Sequence, residues 1–391
     1  MPEVSGWNRL EVASQFMPSM LAHRRFLHAH PEVGLALPAT HQYIADRLRA
    51  LGLTPEVRPS GGITARVAGR SSSGRVRILR SDMDALPLQE RTPLAFPSLN
   101  PGTMHACGHD LHMAMLLGAA ELFVMQPPAN DVVLAFQPGE EADRGALALL
   151  EHENLRSVPP DSVAFAIHVN AIMPSGVVTS RPGCFMAYGD WFRVTFGGPG
   201  GHASAPHLTA NPIEGMAAWT TGLRELVDEL AVHEPLVATV TEAIAGNTVN
   251  VIPTLGNVRG TLRTLSERQR VVLHERLAGL TREVAGSLGL HGTLVITAGY
   301  PIVMNDPTIL GAILGAHDAE RSACPARGMP DPSMVIEDFA YFLQRWRGAM
   351  VYLGAQVDGC SSFNHSDDVM FDESVMPIGL ALHSLVADVP F

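Results

Sequence analysis

The chain has 391 residues, 46% hydrophobic and 17% charged, with 36 Gly and 29 Pro spread along it, a globular composition long enough for two domains. Its formal charge of −12 excludes a general nucleic-acid binder, which needs a basic face to neutralise phosphates. No apolar run reaches the roughly 18–20 residues of a membrane-crossing helix.

The opening run MPEVSGWNRLEVASQF is mixed and lacks an apolar core, so no secretory signal is expected. Four scattered cysteines, Cys107, Cys184, Cys324 and Cys360, argue against a disulfide framework and for a reducing cytoplasm. In chain order, helices are predicted over Leu21–Ala29 and Gln42–Leu51, the latter closed by Gly52. A short Ser71–Gly74 turn precedes a strand at Arg75–Leu79. A largely buried helix follows at Leu111–Val124, then a strand at Val132–Phe136, a helix at Gly145–His152 and a strand at Val163–Ile167 ending at His168. This alternation predicts an α/β domain with a mostly parallel sheet.

The middle of the chain has a different rhythm. Strand Trp191–Phe196, helix Pro212–Leu230, strands Val237–Ala243 and Asn257–Thr264, helix Glu267–Ser287 and strand Thr293–Ala298 give the order βαββαβ, that of a ferredoxin-like sandwich. It is expected as an inserted domain over residues 187–298, within a first domain of residues 1–186 and 299–391. The strand Ala349–Leu353 then resumes the first style and leads to His365.

In open α/β sheets, functional groups gather beyond the carboxyl ends of the strands. Five segments place metal-binding residue types there: Asp82-Met83-Asp84, Cys107-Gly108-His109-Asp110, Glu140-Glu141, His168 and the stretch around His365. Each has an ordinary reading as well. Cys107 and His109 describe a buried thiol and a helix cap as readily as two ligands, and His168 describes a turn residue. Glu140 and Glu141 equally fit a solvated loop tip. Their coincidence at one edge of one sheet favours a cation site, in which one glutamate binds metal and its neighbour takes a proton from water. Asp82 and Asp84 are further candidates for ligation, Asp84 alternatively for orienting a ligand histidine. His105 and His112 are expected to support the site from behind.

These runs together resemble the aminoacylase and hippurate hydrolase family of dinuclear metallopeptidases, closest to the branch of hippuricases, indole-acetyl-amino-acid hydrolases and N-acetyl-diaminopimelate deacetylases. The resemblance runs through His28–Glu32, Arg80–Pro87, Met104–Asp110, Gln137–Glu141, Gly200–Ala203, Asn250–Pro253, Gly260–Arg263, Glu337–Phe339 and Phe371–Glu373. It implies a metallopeptidase catalytic domain with an inserted lid and dimerisation domain, acting on N-acyl amino acids as a homodimer. It also implies two divalent ions per chain, zinc first, with manganese, cobalt or nickel as alternatives. Cys107 would bridge them, with His109 and His168 on one ion and Glu141 and His365 on the other. Glu140 would be the general base, His202 would polarise the scissile carbonyl in its own or a partner's site, and Asn250 and Arg263 would hold the substrate carboxylate. Departures at Gly139 and at Met334-Val335-Ile336 leave that metal set intact and bear on the substrate wall.

Three rival readings fit the sequence less well. A dipeptidase or aminopeptidase needs a carboxylate for the substrate's free amine, and no acidic cluster outside the metal set obviously supplies one. A silent metal-binding or sensing protein fits poorly with a full set of ligands plus Glu140. The run Gly197–Gly201 lacks the Lys-Ser/Thr of a phosphate loop.

Overall fold

Four segments of this chain are buried along nearly their whole length, three of them largely apolar as a doubly covered strand is and the fourth, Val76–Asp82, carrying Arg77, Arg80 and Asp82 into the interior. In the computed structural model, which describes residues 8–71, 74–141, 143–320 and 326–388, Asp131–Gln137, Val76–Asp82, Val163–Asn170 and Arg347–Gly354 lie side by side in that order, all parallel. They form the centre of an eight-stranded mixed sheet. Gly62–Val67 and Glu56–Arg58 extend it antiparallel on one side; Val178–Ser180 and Arg327–Gly328 complete the other. The predicted α/β class with a mostly parallel sheet is what forms.

Several elements differ from their sequence prediction: the strands Glu56–Arg58 and Gly62–Val67 are not expected from it, Val76–Asp82 runs past Leu79, and the first two predicted helices begin earlier, at Met17 and Pro38. The third central strand does not end at His168 but continues to Asn170, because Arg347–Gly354 pairs with it to its end, Tyr352 opposite His168. The helix predicted over Gly145–His152 closes at Leu149, and a separate turn of helix covers Glu153–Arg156. Ser72, Ser73 and Cys324 lie outside the described residues; Cys107, Cys184 and Cys360 are free thiols.

The helix His109–Met125 is buried almost all round. The helices Met17–Ala29 and Met376–Asp388 pack on it, so its first turn is fixed deep in the domain. Because the central strands run one way, the segments after Asp82, Gln137 and Asn170 emerge at one edge of the sheet. Among the described residues no helix is long and apolar enough to cross a membrane.

By contacts, the chain divides into a unit of Met1–Phe185, Met304–Pro330 and Asp338–Phe391 and a second of Met186–Val303 and Asp331–Glu337. The short segment joins the second unit through the Ala187 N–H, which donates to Val335 O at 3.0 Å. The second unit has an antiparallel sheet in the order Val237–Ala245, Leu255–Thr264, Tyr188–Gly197, His291–Ala298. Two helices, Pro212–Ala231 and Glu267–Ser287, cover it. Met216, Trp219, Leu223 and Leu226 on the first, and Leu273, Leu277 and Val284 on the second, recur at helical spacing and build its core.

A buried carboxylate ties this core to the base of the sheet. Asp190 accepts from Arg270 at 2.7 and 2.9 Å and from the Gly299 N–H at 3.2 Å, and it meets His274 Nε2 at 2.9 Å. Burial opposes its charge, but these partners hold its pKa below the usual carboxylate range. A depressed folded-state pKa gives stability that is full above the unfolded value and lost as pH falls through the folded one. Asp190→Asn is therefore expected to destabilise the protein by about 3 kcal/mol at pH 7. The difference from wild type should shrink below about pH 4, as urea unfolding at the two pH values will show.

Candidate metal centre

The turn that carries Cys107 and His109 is shaped by backbone before any side chain acts. Leu86 and Met104 exchange two backbone hydrogen bonds of 2.9 and 3.0 Å, which brings the chain to Ala106 beside the sheet. Gly108 then adopts φ +88°, and a Cβ there would lie 2.4 Å from Val169 Cγ2. Only glycine fits, and the helix starts at His109 directly after it. Gly108→Ala is expected to cost about 2–4 kcal/mol from backbone strain plus overpacking, measured by denaturant unfolding of the metal-free protein.

Against this turn lies the segment carrying His365. The His365 N–H donates to Ala106 O at 2.9 Å. Asn364 Nδ2 donates to Cys107 O at 3.2 Å and to Val169 O at 3.1 Å. His365 itself sits at φ +74°, a conformation that costs a non-glycine residue about 1–2 kcal/mol and that these neighbours hold in place. Asn364 is a residue that the sequence marked only as a neighbour of His365.

The side chains converge. Cys107 Sγ is 3.4 Å from His168 Nε2 and 3.3 Å from His365 Nε2, and His365 Nε2 is 3.2 Å from Glu141 Oε1. Cys107, His109 and His168 form one three-donor group; Cys107, Glu141 and His365 form another. Cys107 belongs to both. Glu140 joins His109 and Glu141 in a third group; Glu140 and His109 are buried, and Glu141 is half-buried.

The rings are presented by what stands behind them. His109 Nδ1 donates to the backbone carbonyl of Asp84 at 2.7 Å, and His168 Nδ1 donates to Val169 O at 2.8 Å. In both rings Nε2 is thus the nitrogen left for a cation once the ring is neutral; burial opposes charge on His109, but Asp82 beside it holds its pKa well above the ordinary value. His109 Nε2 is buried and has no hydrogen-bond partner among the described residues. The Asp84 carboxylate does something else: it accepts the Glu140 and Glu141 N–H groups at 3.0 and 3.1 Å and fixes the turn between the two glutamates. Both oxygens of Asp82 are engaged, by Arg80 at 2.7 Å and His112 at 2.6 Å. His112 in turn accepts the Val169 N–H at 2.8 Å, so it supports the end of the His168 strand. His105 is fully buried, with neither ring nitrogen hydrogen-bonded among the described residues, and burial pushes its pKa down to about 3.

Electrostatics distinguishes the imidazoles. Burial pushes His168 down to about 3, leaving a neutral ring at physiological pH. Hydrogen bonding to Cys107 and Glu141 pushes His365 up to about 10, so in the metal-free protein it shares a proton with them. A thiol, three imidazoles and two carboxylates around buried, unsatisfied nitrogen suit a borderline-soft divalent cation.

The remaining candidates lie in the second unit. His202 and Val251 pair in a two-residue ladder, and the Ala203 N–H donates to Asn250 O at 3.1 Å, so His202 and Asn250 are neighbours. His202 Nδ1 accepts the Ser204 N–H at 3.1 Å and its hydroxyl at 2.8 Å. The ring proton is therefore on Nε2, which is left to donate. Arg263 is not with them. It pairs with Gly189, whereas the His202 end of the sheet begins where Leu255 pairs with Gly197, eight positions away or about 27 Å along the strand. Arg263 is held by Thr261 Oγ1 and Leu262 O.

An α/β sheet that gathers thiol, imidazole and carboxylate donors beyond its parallel strands, next to a further glutamate, defines a metal-dependent hydrolase. Peptidase family M20/M25/M40 matches residues 78–388, and the chain belongs to that family; it is a metal-dependent amidohydrolase. It is 32% identical over 375 residues to thermostable carboxypeptidase 1 of Saccharolobus solfataricus, covering 93% of each chain. It is 33% identical over 353 residues to the N-acetyl-L-cysteine deacetylase of Bacillus subtilis, covering 88% of this chain and 82% of that one. A Bacillus subtilis structure described as a dinuclear metal-binding peptidase of the M20 family superposes with TM-score 0.81 at 29% identity, over 96% of this chain and 98% of that one.

Proposed function

We propose that the protein hydrolyses the amide bond of N-acyl amino acids with two divalent cations per chain, zinc being the first candidate and manganese, cobalt or nickel the alternatives. The observation that carries this reading is the place of Cys107 in both three-donor groups, the position of a thiolate shared between two ions. His109 and His168 would hold one ion, Glu141 and His365 the other. Such a pair of cations, when bound, polarises the scissile carbonyl and acidifies water. Glu140 accepts the proton of the attacking water and returns it to the leaving amine. His202 donates from Nε2 to the oxygen on which negative charge develops. A cysteine in this role has to stay reduced, which supports a cytoplasmic setting.

Arg263 suits the carboxylate of the substrate. It is half-buried, and among the described residues no carboxylate lies within ion-pair reach of it; a guanidinium so placed favours an anionic partner. Asn250 stands ready beside His202 at the other end of the same sheet. The separation of Arg263 from His202 and Asn250 exceeds the reach of one small amide, so a site using all three takes them from two copies. This supports a homodimer assembled through the second unit. Apolar side chains exposed at the His202 end, including Val249 at 99% and Leu255 at 56%, are consistent with such a contact.

The test is a turnover screen of acetyl, benzoyl, indole-acetyl and long-chain N-acyl amino acids against matched dipeptides, with each metal in turn. At least one N-acyl compound is expected to exceed its matched dipeptide by about tenfold or more in kcat/KM, about 1.4 kcal/mol of transition-state discrimination. Uniform preference for dipeptides would replace this reading with a dipeptidase.

A further inference from the structure

Two of the sequence runs that mark the resemblance, His28–Glu32 and Phe371–Glu373, contribute no group to the metal cluster. They lie near opposite ends of the chain, yet both lead to one residue, Asp110, which follows His109. Asp110 is fully buried in the first turn of the central helix. Its Oδ2 accepts from Arg24 Nε at 3.0 Å and from His28 Nδ1 at 2.8 Å. Arg24 and His28 are one helical turn apart on Met17–Ala29, so they approach from one face.

Each cation is held in turn from behind. Arg24 also donates to Glu373 Oε1 at 3.0 Å, where Arg25 forms a second pair at 2.9 Å to Oε2. His28 Nε2 meets Glu90 Oε1 at 3.1 Å. Glu90 is itself fixed by Thr92 and by the Ser98 N–H. The Phe96 ring covers Arg24 at 4.7 Å and meets His28 edge-on at 5.5 Å. Both nitrogens of His28 face carboxylate oxygens, so both carry protons and the ring is a cation. Arg24, Arg25 and His28 thus balance Asp110, Glu90 and Glu373.

Stability alone is a poor reason for such a network, because apolar replacements of buried ion pairs are often neutral or stabilising. What it does supply is direction. The helix that carries His109 starts after Gly108, which has φ +88° and no side chain with which to cap it, so no side-chain cap resists rotation of the first turn. Asp110, clamped by two cations, supplies that resistance. We infer that Arg24 and His28 are positioning residues for the metal centre, holding the first turn of the helix so that Cys107 and His109 face the cations before these bind. The inference rests on the reading of Cys107 and His109 as ligands.

The test compares wild type with His28→Gln and with Glu373→Gln, which loosens Arg24 from the partly exposed margin. Zinc affinity is measured by chelator competition, the cobalt–thiolate absorption band is recorded on cobalt-loaded protein, and the urea midpoint is taken without metal. His28→Gln is expected to bind zinc about 10–100-fold more weakly, with a shifted cobalt band. Glu373→Gln should lose several-fold in affinity while its metal-free urea midpoint stays near wild type. Wild-type zinc affinity and an unaltered cobalt band in a folded variant of either kind would overturn the inference. If His28→Gln does not fold, Glu373→Gln decides by the same criteria. Wild-type protein that binds no zinc, or shows no cobalt–thiolate band, would instead defeat the ligand assignment itself.

Discussion

Replacing Glu140 by glutamine is expected to lower kcat by about 1,000- to 10,000-fold, the contribution of a positioned general acid–base, while the metal content stays at the wild-type level. Glutamine preserves volume and hydrogen bonding, and the Asp84 carboxylate still fixes the turn through the 140 and 141 N–H groups. What is lost is the ability to take a proton from water and return it. Elemental analysis and steady-state kinetics on the same preparation separate the two effects. A variant with wild-type turnover would remove Glu140 from the mechanism; one that loses its metal would move Glu140 into the ligand set.

The second large effect concerns His202 and Arg263. Each of His202→Ala and Arg263→Ala is expected to lose most activity alone, about 100-fold or more for an oxyanion donor. In a dimer whose sites each take Arg263 from one copy and His202 from the other, mixing the two inactive variants regenerates intact sites. Half of the randomly reassorted dimers are mixed, and one site in each is complete, so about a quarter of wild-type activity should return. No recovery after verified subunit exchange would mean that each copy supplies its own His202 and Arg263.

The parts of the fold that the sequence revealed are those whose environment leaves a one-dimensional trace. Val132–Phe136 and Val163–Ile167 are buried on both faces and hence continuously apolar. Leu111–Val124 is apolar all round because helices cover it. Where pairing with a distant strand extends an element, as at His168, or a loop breaks one, as after Leu149, the local residues hold no signal. The site divides in the same way. Cys107, His109, Glu141, His168 and His365 are chemically conspicuous at strand ends, and the fold brings all five together. The group that orients His109 is the Asp84 carbonyl, which every residue possesses. The pairing of Arg24 with Asp110 and Glu373 joins segments 86 and 349 positions apart, a relation that only the packed structure expresses. The same holds for Arg80 and Asp338, 258 positions apart.

The role of Cys107 is most directly tested by diffraction from metal-loaded crystals at wavelengths on either side of the zinc absorption edge. Two anomalous peaks are predicted, both within about 2.3 Å of Cys107 Sγ, one completed by His109 and His168 and the other by Glu141 and His365. A single peak, or ions whose coordination omits Cys107, would contradict the account.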